Sequence, residues 1–181
     1  MIGLSAFKKS SRKPDPAVIE RLHNTINELA RQPVFYTRFA VPDTIDGRYD
    51  LLCVMLSLFL FRVQQIDGDL AQAVFDRAFK DVERGLREAG VGDLSVPKHM
   101  KRMLAAFYGR AASYYEALEQ QQVEGLAVIL TRNLYNGEKT DAALPMAEWM
   151  RIALQFLNAT DGQEVLRDPQ IILQLVPPEQ N

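Results

Sequence analysis

Few residues in this chain could do chemistry. It carries two histidines, His23 and His99, and one cysteine, Cys53. The histidines fall on different predicted helices and lack Cys or acidic neighbours at the spacing a zinc site needs, so both read as surface or half-buried side chains. Cys53 sits in an oily run and reads as a small buried hydrophobe. A single cysteine forms no internal disulfide, which agrees with a reducing compartment. Asp43, Asp46, Asp67 and Asp69 do not follow the spacing of a calcium loop, and turn or capping roles account for them. No dinucleotide fingerprint, phosphate loop, nucleophile elbow or H-E-x-x-H pair is present. The chain reads as a non-enzyme, with no cofactor and no metal.

The residues that do stand out are basic. Lys98, Lys101, Arg102 and Arg110 form a run with no acid between them. They lie in DLSVPKHMKRMLAAFYGRAASYYEAL, Asp93 to Leu118. At 100° per residue, Met100, Met103, Leu104, Phe107, Ala111, Tyr114, Tyr115 and Leu118 share one face, a core stripe. The opposite face reads Lys98, Arg102, Ala105, Gly109, Ala112 and Glu116, with Lys101 and Ser113 beside it. A solvated face normally carries long polar side chains, and a mid-helix glycine costs about 1 kcal/mol relative to alanine. Small residues let another backbone come close. One reading packs a further helix of the same domain there, making this the central helix. The other makes the face the floor of a groove for a partner helix, with the cations at one end. Four positive charges over about four turns are too few to establish nucleic-acid binding. They oppose the helix macrodipole at an N-terminus, which favours an anionic partner.

The elements that position this segment are helical. Asp15-Pro16 is a start signal, and Val18, Ile19, Leu22, Ile26 and Leu29 follow as a stripe that Pro33 ends. Residues 34–41 fit one or two helical turns. After an Asp46-Gly47 turn, an oily helix runs from about Arg48 to Gln65. It contains LLCVMLSLFLF, Leu51 to Phe61. Those eleven residues span about 16 Å against about 30 Å of hydrocarbon, and Arg48, Asp50 and Arg62 bracket them, so the run reads as a buried core helix. Asp67-Gly68-Asp69 breaks it, with Asp69 as the next cap. Leu70, Val74, Phe75, Ala78, Phe79, Val82 and Leu86 then repeat at helical spacing up to Gly90. Helices from Pro97 to about Leu118, from Gln122 to Asn136, from an Asp141 cap to about Leu157, and near 162–167 follow.

The expected fold is all-α: a single compact domain of about seven or eight helices around a buried apolar helix. Residues 1–14 read as a flexible basic tail, 15–168 as the helical domain and 169–181 as an extended tail. Ile2, Leu4 and Phe7 precede a basic cluster and could touch an anionic surface, although a frayed soluble tail is the simpler reading. With 181 residues, 48% hydrophobic, 24% charged and a net charge of −2, the composition is that of a soluble globular protein without a global field for nucleic acid or membrane.

The run VGDLSVPKHMKRMLAAFYGRAASYYEAL, with FDRAFKDVERGLREAG before it, resembles the ubiquinol–cytochrome c chaperone family. The similarity is densest from about Tyr49 to Leu134, and the phrase DLSVPKxMKxMxxAFYGR is specific. The resemblance implies a non-enzymatic assembly factor for respiratory complex III. It implies cytochrome b or another complex III subunit as partner, a second small assembly factor, and a ribosome near its exit; no DNA is implied. Asp93, Pro97, Lys98, Lys101, Phe107, Tyr108, Gly109 and Arg110 match the family motif. Asp93, Pro97 and Phe107 suit structural roles. Lys98, Lys101, Arg102, Ala105, Tyr108, Gly109 and Arg110 are the candidate partner-binding residues. The family's oily helix usually carries a His or Trp and ends in several arginines. Here Ser57 stands mid-run and Arg62 stands alone, so that part of the pattern is missing. The short N-terminus suggests a bacterial protein. The expected location is the cytoplasm, with peripheral contact at the inner membrane, or the matrix if the source is eukaryotic. An RNA- or ribosome-binding translation factor and a binder of a small hydrophobic molecule are the alternatives.

Overall fold

The computed structural model describes residues 13–138 and 140–176. Eight α-helices follow one another among them: α1 Pro16–Ala30, α2 Pro33–Thr37, α3 Ile45–Ile66, α4 Gly68–Glu88, α5 Val96–Glu119, α6 Val123–Asn133, α7 Ala143–Ala159 and α8 Gly162–Arg167. A 3-10 segment, Pro169–Leu175, follows, and the described residues contain no strand. The all-α expectation holds. Most of the segment read as a basic N-terminal tail lies outside the described residues.

Local signals explain the helix ends. Asp15 caps α1 by accepting from the Ala17 N–H at 2.8 Å, with Pro16 in the first turn. Gly90 follows α4 at φ +84°, the left-handed position a glycine fills most easily. Three local expectations are corrected. The helix after the oily run is capped by Asp67, not Asp69: its carboxylate accepts from the Leu70 N–H at 3.0 Å while its own N–H closes α3 on Val63. Asp46-Gly47 is no turn but the first turn of α3, capped by Thr44. Gly47 is needed there because a Cβ would sit 2.1 Å from the Pro42 carbonyl oxygen. Asp141 does not cap α7; the Ala142 N–H reaches the Thr140 hydroxyl at 3.2 Å instead.

The oily helix α3 is the centre. Its side chains from Leu51 to Leu60 are buried apart from a half-buried Leu52, and α1, α4, α5, α7 and α8 all pack on it. At 22 residues it is long and apolar enough to cross a bilayer by length and composition. Its apolar surface is nevertheless committed to the core. Helix α5, one candidate for the central position, lies on the flank of α3. Helices α6 and α7 pack against each other, and α7 also packs on α3.

The C-terminal segment expected to be extended is instead helical through Leu175. Ile172 is fully buried, and the Trp149 indole N–H donates to the Leu175 carbonyl at 3.0 Å. The apolar residues of IILQL supply a face that gains more from docking on α1 and α7 than from solvation.

Polar ties hold α5 to α3. The Tyr115 hydroxyl donates to the Ser57 carbonyl at 2.8 Å and the Tyr49 hydroxyl to the Met103 carbonyl at 3.3 Å. Ser57 itself donates back to the Cys53 carbonyl at 2.7 Å, which lets a serine lie inside the oily run. Asp50, nearly buried, pairs with Arg110 of α5. Burial holds the Asp50 carboxyl above its ordinary value despite the opposing Arg110 guanidinium. Burial likewise pushes the Cys53 thiol up to about 12, so it is an inert core group.

A second polar tie joins α1 to α4. His23 Nε2 lies 3.1 Å from Asp81, and Arg77 reaches Asp81 and Glu20 at 2.6 Å each. That geometry would suit an imidazolium. Burial and the nearby Arg77 nevertheless hold the His23 pKa below its ordinary value, against Asp81, Glu20 and Asn24. The neutral ring is the better assignment, because Nδ1 is buried with no partner among the described residues, and a second proton there would be a desolvated donor.

Two outcomes follow from these ties. Arg110→Ala leaves Asp50 buried and alone, and is expected to cost about 3 kcal/mol in urea unfolding. Replacing both by leucine should restore most of it; a loss below about 1 kcal/mol for Arg110→Ala would mark the pair as solvent-screened. For His23 the folded pKa is depressed, so its contribution is present above the unfolded value of about 6.5 and lost as pH falls below it. Between about pH 7.5 and 5.5 the wild type should therefore lose more stability than His23→Gln, and equal losses would refute the neutral assignment.

Candidate partner-binding surface

Helix α5 is built with one buried and one open face. Pro97 lies in its first turn. Phe107, Ala111, Tyr114, Ala117 and Leu118 are buried, Met100, Leu104 and Tyr115 are half-buried against the core, and Met103 is half-buried beside it. The core stripe expected from periodicity is therefore present.

The opposite face is uncovered. Lys98, Lys101, Arg102, Ala105, Tyr108, Gly109 and Ala112 are all exposed. A Cβ built on Gly109 meets nothing within 4 Å. No further helix of the domain packs there among the described residues, which overturns the reading of this face as an internal helix contact. The physical reason is that α3 already supplies the centre, and α5 meets only α3, α4 and α6 in close packing.

Arg110 separates from the other candidates. Its guanidinium turns inward to Asp50 and is half-buried, so its motif position is structural, holding α5 on α3. Its place on the helix explains this: it lies about 140° round from Ala105, beyond the edge of the open face. Asp93, read as structural, pairs with Arg87 at the α4–α5 corner.

Beside the open face runs an apolar groove of about 230 Å³. Leu60 and Gln64 of α3 form its floor. Ala71, Gln72 and Phe75 of α4 make one wall, and Phe107, Tyr108, Ala111, Ala112 and Tyr115 of α5 make the other. Ala71, Ala111 and Ala112 in its walls are small and leave the space between α4 and α5 unfilled. Its aromatic wall is stiff: the Phe75 ring lies 4.5 Å from Phe79, 5.3 Å from Phe107 and 5.4 Å from Tyr108. Burial, with Asp76 nearby, pushes the Tyr108 hydroxyl up, so it stays a neutral donor. Tyr108 and Ala112 belong to both the groove and the exposed face.

Sequence reasoning missed the α3 and α4 contributions. Phe75 read only as core, and Leu60, Gln64, Ala71 and Gln72 were not singled out. Nothing local marks them, since the groove arises from the angle between two helices. The groove opens to solvent and falls below the roughly 300 Å³ of an ordinary small-molecule pocket, so it suits one or two large apolar side chains better than an enclosed ligand. Two broader clefts beside α1 and α4 carry charged side chains of both signs on their walls. Among the described residues no three metal-ligating side chains come together.

Comparison with known proteins agrees with this architecture. A family model described as ubiquinol-cytochrome C chaperone matches residues 37–172. The crystal structure of the Cbp3 homolog from Brucella abortus superposes with a TM-score of 0.74 at 34% sequence identity, covering 83% of this chain and 85% of that one. No curated protein matches the chain. The matched region begins in α2 and ends inside the closing 3-10 segment, so it contains the central helix, the groove and the whole open face of α5. The chain belongs to the ubiquinol-cytochrome C chaperone family.

Proposed function

We propose that this protein is a non-enzymatic assembly chaperone for respiratory complex III, and that it holds an apolar helix of newly made cytochrome b against α5 before the subunit is incorporated. The observation that carries the reading is the junction of two surfaces. An open apolar groove with an aromatic wall lies along a helix face of small residues, and the two share Tyr108 and Ala112. An apolar client helix can insert one or two large side chains into the groove while its backbone lies close over Ala105 and Gly109. A client that later enters a bilayer needs this kind of temporary cover, because its apolar surface would otherwise aggregate. Family membership supports the class of client. A second small assembly factor and work at the cytoplasmic face of the inner membrane fit the same reading.

A groove-filling variant and a crosslink test it. Ala112→Trp fills the groove from an exposed position, so the fold should survive while complex III content drops toward that of a deletion strain and other respiratory complexes stay level. Normal complex III in that strain would count against the reading. A client photo-crosslink placed at Tyr108 should capture cytochrome b, and one at Ile152 on the α7 surface should not.

A further inference from the structure

The corner where α4 turns into α5 combines a fully exposed leucine with unneutralised positive charge. Leu94 is 99% exposed. The turn holding it is helix-like: the Ser95 and Val96 N–H groups both donate to the Gly92 carbonyl, at 2.8 and 3.2 Å. Leu94 therefore continues the face of α5, four residues before Lys98 and one turn further from Lys101 and Arg102. Val96, buried, anchors this turn to the body of the protein.

Charge at the corner is one-sided. Its acids are already engaged: Glu83 and Asp93 by Arg87, and Glu88 by Arg84. Lys98, Lys101 and Arg102 are exposed and form no ion pair among the described residues; Arg102 Nη2 instead lies 3.1 Å from His99 Nδ1. These cations stand in the first two turns of a helix, where the macrodipole disfavours them. A lone exposed leucine is ordinary. A leucine at the tip of a fixed turn, backed on the same face by three cations without acidic partners, is the arrangement of an interfacial anchor.

We infer that this corner docks on an anionic lipid surface, with Leu94 entering the acyl boundary and Lys98, Lys101 and Arg102 meeting the headgroups. RNA is the other polyanion of matching charge. The cations, the Arg102 guanidinium included, would suit either polyanion, so the apolar tip decides: a fully exposed aliphatic leucine gains nothing by stacking on RNA bases, whereas it can enter an acyl boundary. The groove begins at Phe107, about three turns along the same helix from Val96, so a corner docked on a membrane leaves the groove uncovered. The inference stands on the corner alone and does not require a particular client.

The full-length protein is floated with vesicles of phosphatidylcholine alone and of phosphatidylcholine with phosphatidylglycerol. Binding should appear with the anionic vesicles and fall as salt rises. Each lysine near an anionic leaflet raises partitioning about fivefold, so Lys98→Ala with Lys101→Ala should lower it about 25-fold. Leu94→Ser should lower it about tenfold, with the helical circular dichroism unchanged because the side chain touches nothing. Absence of binding to anionic vesicles overturns the inference, as does binding that is indifferent to Leu94→Ser. Retention on RNA that the double lysine variant abolishes and Leu94→Ser leaves intact, without vesicle binding, assigns the corner to nucleic acid and overturns it too. Complex III content in the Leu94→Ser strain is scored separately, so failure here is distinct from failure of the client reading.

Discussion

The structure depends on one constraint: a helix that is apolar all round must be covered all round. Helix α3 has no solvated stripe from Leu51 to Phe61, so a single partner cannot satisfy it. Five other helices lie on it, and their amphipathic faces are explained by that task. Burying each large apolar side chain contributes about 1.5–3 kcal/mol, and no other helix of the chain offers so many of them in sequence.

Covering such a helix brings polar groups inward, and most of those on the α3–α5 contact have partners that also tie the two helices together. Ser57 bonds its own helix, Asp50 is met by Arg110, and the Tyr49 and Tyr115 hydroxyls reach backbone carbonyls across the α3–α5 contact. These contacts orient α5. Once its aromatic and aliphatic stripe faces α3 and its Arg110 is turned inward, the small residues of the other face have no choice but to point out. The open surface is thus a consequence of how the core is satisfied. The groove has a related origin: α4 and α5 both lean on α3, and small alanines leave the space between them unfilled.

Much of this was legible in the chain before any folding was considered. The periods of α1, α4 and α5, the Asp15-Pro16 start, the Gly90 stop and the buried character of LLCVMLSLFLF follow from spacing and chemistry within one element. So does the contrast between the two faces of α5. The misreadings have a common character. Asp67 against Asp69, Gly47 as a turn residue, Asp141 as a cap, and the closing segment as an extended tail each turned on which neighbour a residue meets. Four contacts decided them: the Asp67 carboxylate on the Leu70 N–H, a proline carbonyl crowding Gly47, the Ala142 N–H on the Thr140 hydroxyl, and the Trp149 indole reaching the Leu175 carbonyl. Only the last joins distant segments; the others are local, but which of two neighbouring residues serves as cap or turn depends on backbone geometry that side-chain spacing does not encode.

The sequence by itself determined the fold class, the identity of the core helix and the presence of a helix with a small, cationic face, because these depend on the order of side chains along one chain segment. Only the tertiary structure decided that this face is open, that Arg110 belongs to the core while Lys98, Lys101 and Arg102 do not, and that Phe75 and Ala71 of α4 complete a groove with Tyr108 and Ala112. Those facts depend on the angle and distance between helices far apart in the chain. Such angles emerge from the packing of all the side chains around α3 together, and no single segment encodes them.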